Sequence, residues 1–254
     1  MDTLGTVHTV TALAMVALAV LELRDPAFRA DCFEAGSRRR RNWAFFVISF
    51  VPTLFVQSMA PRLHEQLPTL MRPGTLSAAV DFVACALVAE LVTWVLHWVK
   101  HRHPFLWRFH FQHHREEHFN VWLVTHTHAL EVALSGTTMV AVLVLLGFTP
   151  LSVQLYFGLY SVALMYHHSS RGYSLGWLDR IIVSPAYHRC HHWRDSARNY
   201  SAALTVWDIV FGTACWPRPA TSAVPVGLPP NAPEPFGFGK EMLYFLSGWR
   251  RPQP

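Results

Sequence analysis

The chain has 254 residues, of which 52% are hydrophobic and only 15% charged, against roughly 25% charged in ordinary soluble domains. Its formal net charge is +5, but the basic residues are nearly all arginines set between apolar stretches, a pattern that points to membrane orientation and away from a nucleic-acid partner. The four cysteines, Cys32, Cys85, Cys190 and Cys215, form no CxxC pair, which excludes a zinc ribbon, a thioredoxin motif and a cysteine-ligated iron–sulfur centre.

A membrane-spanning helix needs about 20 mostly apolar residues. Thr3 to Leu23 has that length and lacks the basic start and cleavage site of a signal peptide, so it reads as a first span. Trp43 to Ala60 is the second, with Pro52 placed to kink it. Leu76 to Val99 is the third. Leu130 to Leu146 and Leu151 to His167 read as a helical hairpin turning at Gly147–Pro150. Pro217 to Gly239 is a proline-rich linker, and Glu241 to Trp249 is expected on the membrane surface. The expected fold is all-α: an integral-membrane bundle of four to five spans with a cytoplasmic histidine-rich cap. Residues 1–75 form its N-terminal transmembrane region, 76–216 its histidine-box domain and 217–254 its tail.

Arginine and lysine set the direction. With the C-terminal end of the first span in the cytoplasm, 19 of the 21 basic residues fall on that side, and only Arg62 and Arg72 lie outside. The same topology puts the notable histidines on one face, although histidine played no part in choosing it. His8 and His64 fall on the opposite face.

Three patterns carry the chemistry. His97-Trp-Val-Lys-His101 is HxxxH, while His110-Phe-Gln-His113-His114 and His188-Arg-Cys-His191-His192 are both HxxHH. Positions i, i+3 and i+4 of a helix lie on one face, so these imidazoles can converge on a metal, and neutral imidazole suits zinc, iron, copper and nickel. Eight histidines exceed the needs of one metal and fit two. A closed structural zinc pair is one outcome; two irons with open positions, able to bind dioxygen, are another.

From about Asp81 to Thr213 the chain resembles the fatty acid hydroxylase / sterol desaturase superfamily of membrane histidine-box enzymes. The resemblance rests on Glu90 seven residues before the first box, Leu106-Trp107-Arg108 before the second, and His128-Ala-Leu-Glu131. It continues through His168-Ser169, Pro185-Ala-Tyr-His188-Arg-Cys-His191-His192, Asn199-Tyr200 and Trp207-Asp208-Ile-Val-Phe211-Gly212-Thr213. It implies a di-iron centre, dioxygen as co-substrate and oxidation of an unactivated C–H bond in a lipid. It also implies a ninth ligand, and spacing to Leu175-Gly176 favours His168 over His167. Trp98 and His126 stand where the family has arginine.

The expected metal ligands are therefore His97, His101, His110, His113, His114, His168, His188, His191 and His192. Glu90 and Glu131 are candidate catalytic residues, read also as groups orienting an imidazole or, for Glu131, stabilising a helix N-terminus. His126, His128 and His167 are possible additions; His103 and His118 read as interfacial. Asp208 is expected to tie down the tail. Trp94, Trp98, Trp107 and Trp122 suit an interfacial belt or a substrate tunnel. The chain carries no GxGxxG or CxxCH, so electrons come from a separate donor, a ferredoxin or cytochrome with its reductase. Hydroxylation of a membrane lipid at the cytoplasmic face of a bacterial inner membrane is the expected function. The alternatives are desaturation at the same centre, a zinc-dependent membrane hydrolase, and a non-catalytic metal- or lipid-binding protein.

Overall fold

The computed structural model describes residues 3–33, 37–194, 196–218, 224–228 and 238–246. Among them there are helices and turns but no strand, only two isolated bridges, Ile182–Leu204 and Trp193–Val226. Five long helices occupy the expected apolar stretches: α1 (Thr3–Glu22), α3 (Ser37–Gln66), α4 (Ala78–Arg102), α6 (Ala129–Leu146) and α7 (Pro150–His167). Three helical stretches, Gly5–Glu22, Ala78–Arg102 and Ala129–Leu146, are long and apolar enough to cross a membrane. The short helices are α2 (Pro26–Phe33), α5 (Pro104–His114), α8 (Pro185–His191), α9 (Val206–Val210) and α10 (Phe238–Met242).

Local sequence sets the boundaries. Pro104, Pro150 and Pro185 open α5, α7 and α8, where the missing N–H has no intrahelical partner to lose. Thr149 and Ser184 cap α7 and α8, each accepting a backbone N–H through its hydroxyl. Gly147 ends α6 at φ 92°, and a Cβ there would sit 2.0 Å from the Met71 carbonyl oxygen, so only glycine closes this turn. α3 runs on through Pro52 and Pro61.

α3 packs along α6, α1 along α7, and α4 lies against both α6 and α7. Their shared core includes Val56, Cys85, Ala89, Val140, Leu143, Val144, Val153 and Tyr156. The opposite faces of the outer helices are apolar and exposed, with Val10, Leu13 and Val16 on α1 and Val47, Val51 and Phe55 on α3, as lipid-facing helices require. The bundle has two distinct ends. At one, Asp81 accepts from Thr149 N and Oγ1 (3.2 and 2.6 Å), and His64 meets the Phe148 carbonyl. At the other, the C-terminal ends of α4 and α7 and the start of α6 meet α5 and α8.

One expectation changes here. Trp94 and Trp107 are buried and do not belong to an interfacial belt: Trp94 donates to Asp208, and Trp107 packs with Phe111, Leu228 and Tyr244. The described part of the C-terminal stretch, 238–246, also docks on the bundle, a contact the sequence does not announce. Glu241 pairs with Arg115 at 2.7 Å, Tyr244 stacks on Phe111, and Phe245 stacks on Phe109.

Candidate metal centre

The histidines gather at one end of the bundle into two groups. His97, His101, His110, His114 and His191 form the first; His113, His168, His188 and His192 form the second. Within each group the ligand atoms all lie within 4.8 Å of one another. Together the groups hold all nine histidines expected as ligands. The boxes are split between them: α5 sends His110 and His114 to one group and His113 to the other, and α8 sends His191 to the first and His188, with His192 after it, to the second. The i, i+4 pairs stay together and the remaining histidine of each box crosses over.

The outer ring nitrogens fix the tautomers. Nδ1–H of His97 donates to the Tyr200 carbonyl (2.8 Å), His113 to Leu123 (3.2 Å), His168 to Leu164 (2.7 Å) and His191 to Arg198 (2.8 Å). His110 Nδ1–H donates to Glu131 Oε1 (2.8 Å). These oxygens only accept, so the proton sits on Nδ1 and the Nε2 lone pair points inward. In the first group, the bare Nε2 atoms of His97 and His110 then face each other at 3.1 Å; in the second, those of His113 and His168 do so at 3.3 Å. Two lone pairs at that separation repel unless a cation lies between them. His191–His114 (3.0 Å), His168–His188 (3.0 Å) and His188–His192 (3.1 Å) extend the convergence. Burial, with neighbouring imidazoles adding to it, holds His113, His114, His188 and His192 well below the usual imidazole range, and burial takes His168 down to about 3. The rings are thus neutral donors at pH 7.

Behind the histidines stands a carboxylate framework. Glu131, in the first turn of α6, accepts from His110 and from Lys100 Nζ (2.6 Å). Glu90, 1% exposed, accepts from the Tyr156 hydroxyl (2.9 Å) and from the amides of Ala203 and Leu204 (3.0 and 3.1 Å). It thereby holds the segment whose Tyr200 and Ala202 carbonyls receive His97 and His167. Asp208 takes Trp94, Tyr187, Thr213 and the amides of Tyr200 and Ser201, which is the tying role expected of it.

His126, His128 and His167 lie outside both groups. His126 faces Glu116 at 3.5 Å, and His128 caps α6 through Leu130 N. His167 stacks on His188 at 3.9 Å between centroids while its Nδ1–H donates to Ala202. His8 meets Gln154, away from the centre. Several contributors escaped the sequence reading. Lys100 lies inside the HxxxH motif, yet only the fold pairs it with Glu131. Glu22, the last residue of α1, accepts from Ser169 Oγ and Ser170 N, fixing the chain just after His168. Asn199, at φ 58°, braces the same region through Tyr187 and Cys215; it was visible only as part of the Asn199-Tyr200 pair.

The fatty acid hydroxylase family profile matches residues 82–213, over half the chain, and the chain belongs to that family. It is 30% identical over 160 residues to the ornithine lipid hydroxylase OlsE of Rhizobium tropici (61% of this chain, 48% of that protein). It is 28% identical over 127 residues to the human alkylglycerol monooxygenase (46% and 26%). It is also 28% identical over 148 residues to a cholesterol 25-hydroxylase-like protein of Danio rerio (56% and 58%). In each case the match spans less than two thirds of the relative. No solved structure matches.

Proposed function

We propose that this protein is a membrane-bound di-iron oxygenase that hydroxylates a C–H bond of a lipid, using dioxygen and electrons from a separate ferredoxin- or cytochrome-type donor. The observation that carries the reading is the pair of facing, unprotonated Nε2 atoms in each histidine group. His97, His101, His110, His114 and His191 would hold one metal, and His113, His168, His188 and His192 the other. All-imidazole donor sets suit iron. When bound, two irons supply the activation of dioxygen that breaking an unactivated C–H bond requires.

The chain's own groups orient and enclose. The carbonyls of Tyr200, Leu123, Leu164 and Arg198 and the Glu131 carboxylate aim the imidazoles. Glu131 acts through His110, and Glu90 through the 203–204 backbone, as positioning residues. Phe119 packs its ring 5.4 Å from His168 and 5.1 Å from His192, excluding water from the second group. Each relative above bears the name of a hydroxylase or monooxygenase of a lipid, which favours insertion of oxygen into a lipid over desaturation and over zinc-dependent hydrolysis. In this reading the histidine end faces the cytoplasm of a bacterial inner membrane, with four to five helices spanning it. Candidate substrates are ornithine-type aminolipids, fatty acyl groups, hopanoids and carotenoids.

The test is lipid analysis of cells making or lacking the chain, grown under isotopically labelled dioxygen. The expected result is a lipid carrying one labelled oxygen atom. A new double bond without label would replace hydroxylation by desaturation, and an unchanged lipid profile, or the same product formed in full under argon, would reject the oxygenase.

A further inference from the structure

The histidine-rich part of the chain after the fifth long helix reads from the sequence as part of the cytoplasmic cap. Its backbone runs otherwise. Thr205 N donates to Ile181 O (3.1 Å) and Val183 N to Ala203 O (2.9 Å), with a bridge between Ile182 and Leu204, so the turn Gly176–Arg180 and α9 form one continuous unit. That unit lies against α4. The indole N–H of Trp207 donates to the Leu87 carbonyl (3.0 Å), and the ring of Phe211 stacks on Trp94 with centroids 4.2 Å apart.

Position along α4 gives depth. The helix runs from Ala78 to Arg102, about 37 Å at 1.5 Å per residue, and Leu87 lies about 14 Å from its start and about 22 Å from its histidine end. A hydrocarbon core about 30 Å thick, placed anywhere along that length, leaves Leu87 at least about 6 Å inside it. Trp207 therefore reaches bilayer depth.

The outward surface agrees. Trp177 is 72% exposed and Val210 61%, and Ile181, Ile182, Ile209 and Phe211 are exposed beside them; Val83 and Leu87 of α4 are exposed too. Irregular backbone can sit at that depth only if its polar groups are satisfied by protein. The amides of Tyr200 and Ser201 are taken by Asp208, and those of Ala203 and Leu204 by Glu90. Two buried carboxylates thus supply what water would supply in a cytoplasmic loop.

We propose that the apolar faces of segments 176–182 and 203–211 are sunk into the bilayer beside α4, with Trp177, Ile181, Ile182, Ile209, Val210 and Phe211 facing lipid acyl chains and the exposed Arg180 reaching back toward the headgroups. The proposal rests on reading α4 as a membrane span, and continuity with the apolar face of that helix names acyl chains as what covers the patch. It also sets the second half of the catalytic domain within reach of substrates that never leave the membrane.

The test uses full-length protein in phospholipid vesicles, with Cys32 and Cys215 replaced by serine and a nitroxide label on Val210→Cys. Ile209→Cys serves as a second site, Val83→Cys as the span reference and Arg171→Cys as the aqueous reference. Collision rates with oxygen and with a water-soluble nickel chelate are compared. The expected result is that Val210 loses chelate collisions to the level of Val83 and keeps oxygen collisions. Chelate access at Val210 equal to that at Arg171, with Val83 shielded, would overturn the proposal and leave the span intact. Shielding of Val210 from both reagents would overturn it in favour of a protein partner or second copy. Chelate access at Val83 would remove the span itself.

Discussion

Replacing one imidazole removes a lone pair that no neighbouring side chain can restore, because the surrounding nitrogens already point at the same centre. His101→Ala and His113→Ala, one from each group, are expected to abolish turnover and each to cost bound metal, while His8→Ala and His103→Ala keep both. Metal analysis beside activity checks this, and equal losses in the controls would contradict it. His168→Ala is expected to release metal; His167→Ala, which removes a ring stacked on His188, should lower thermal stability and leave metal in place. Glu131→Ala frees His110 to rotate and is expected to weaken metal binding or activity by about 10- to 100-fold. His126 offers a pH test away from the centre. Burial pushes it down to about 4, Arg41 and Arg115 adding to the shift and Glu116 opposing it. The unfolded imidazole takes up its proton near pH 6.5 and the folded one only near pH 4, so falling pH favours unfolding across that window. Wild type should therefore lose stability relative to His126→Gln as pH drops from about 6.5 to about 4, and parallel melting curves would count against it.

At the level of elements, the C-terminal segment 238–246 clamps α5, the helix that serves both histidine groups. Glu241 is buried and pairs with Arg115, and His128 Nε2–H and Arg108 Nη1–H donate to the carbonyls of Met242 and Phe245. Glu241→Ala leaves a buried guanidinium without its carboxylate, a loss on the order of 3 kcal/mol; a lower melting temperature in detergent is expected, with Glu241→Asp intermediate, and an unchanged one would show the clamp to be idle. Such long-range docking is invisible in sequence, because a proline-rich linker separates it from α5 and only the fold brings Tyr244 onto Phe111. The five long helices were legible, since each contains a long apolar stretch, and Pro104, Gly147 and Thr149-Pro150 mark the end of α4, the end of α6 and the start of α7. That nine histidines would gather at one end was legible too, from box spacing and family resemblance. Their division was not: i, i+3 and i+4 share a broad helical face, and only the opposed approach of α5 and α8 sends one histidine of each box across. Nor could sequence show that Glu90 serves backbone amides over a hundred residues away.

For the whole molecule, orientation and metal content are separate claims. If the arginine-rich end faces the cytoplasm, a cysteine at Arg72, in the connection between α3 and α4, should react with an impermeant reagent added to intact cells, and one at Arg40 should not. The reverse pattern would invert the protein while leaving its centre whole. That centre is the core of the account, and a count of bound metal tests it most directly. Purified protein reconstituted with ferrous iron under argon and freed of loosely bound ion should hold about two irons per chain, as expected of two imidazole groups that each converge on one cation. A value of one or less, with the protein folded and both histidine groups intact, would contradict it.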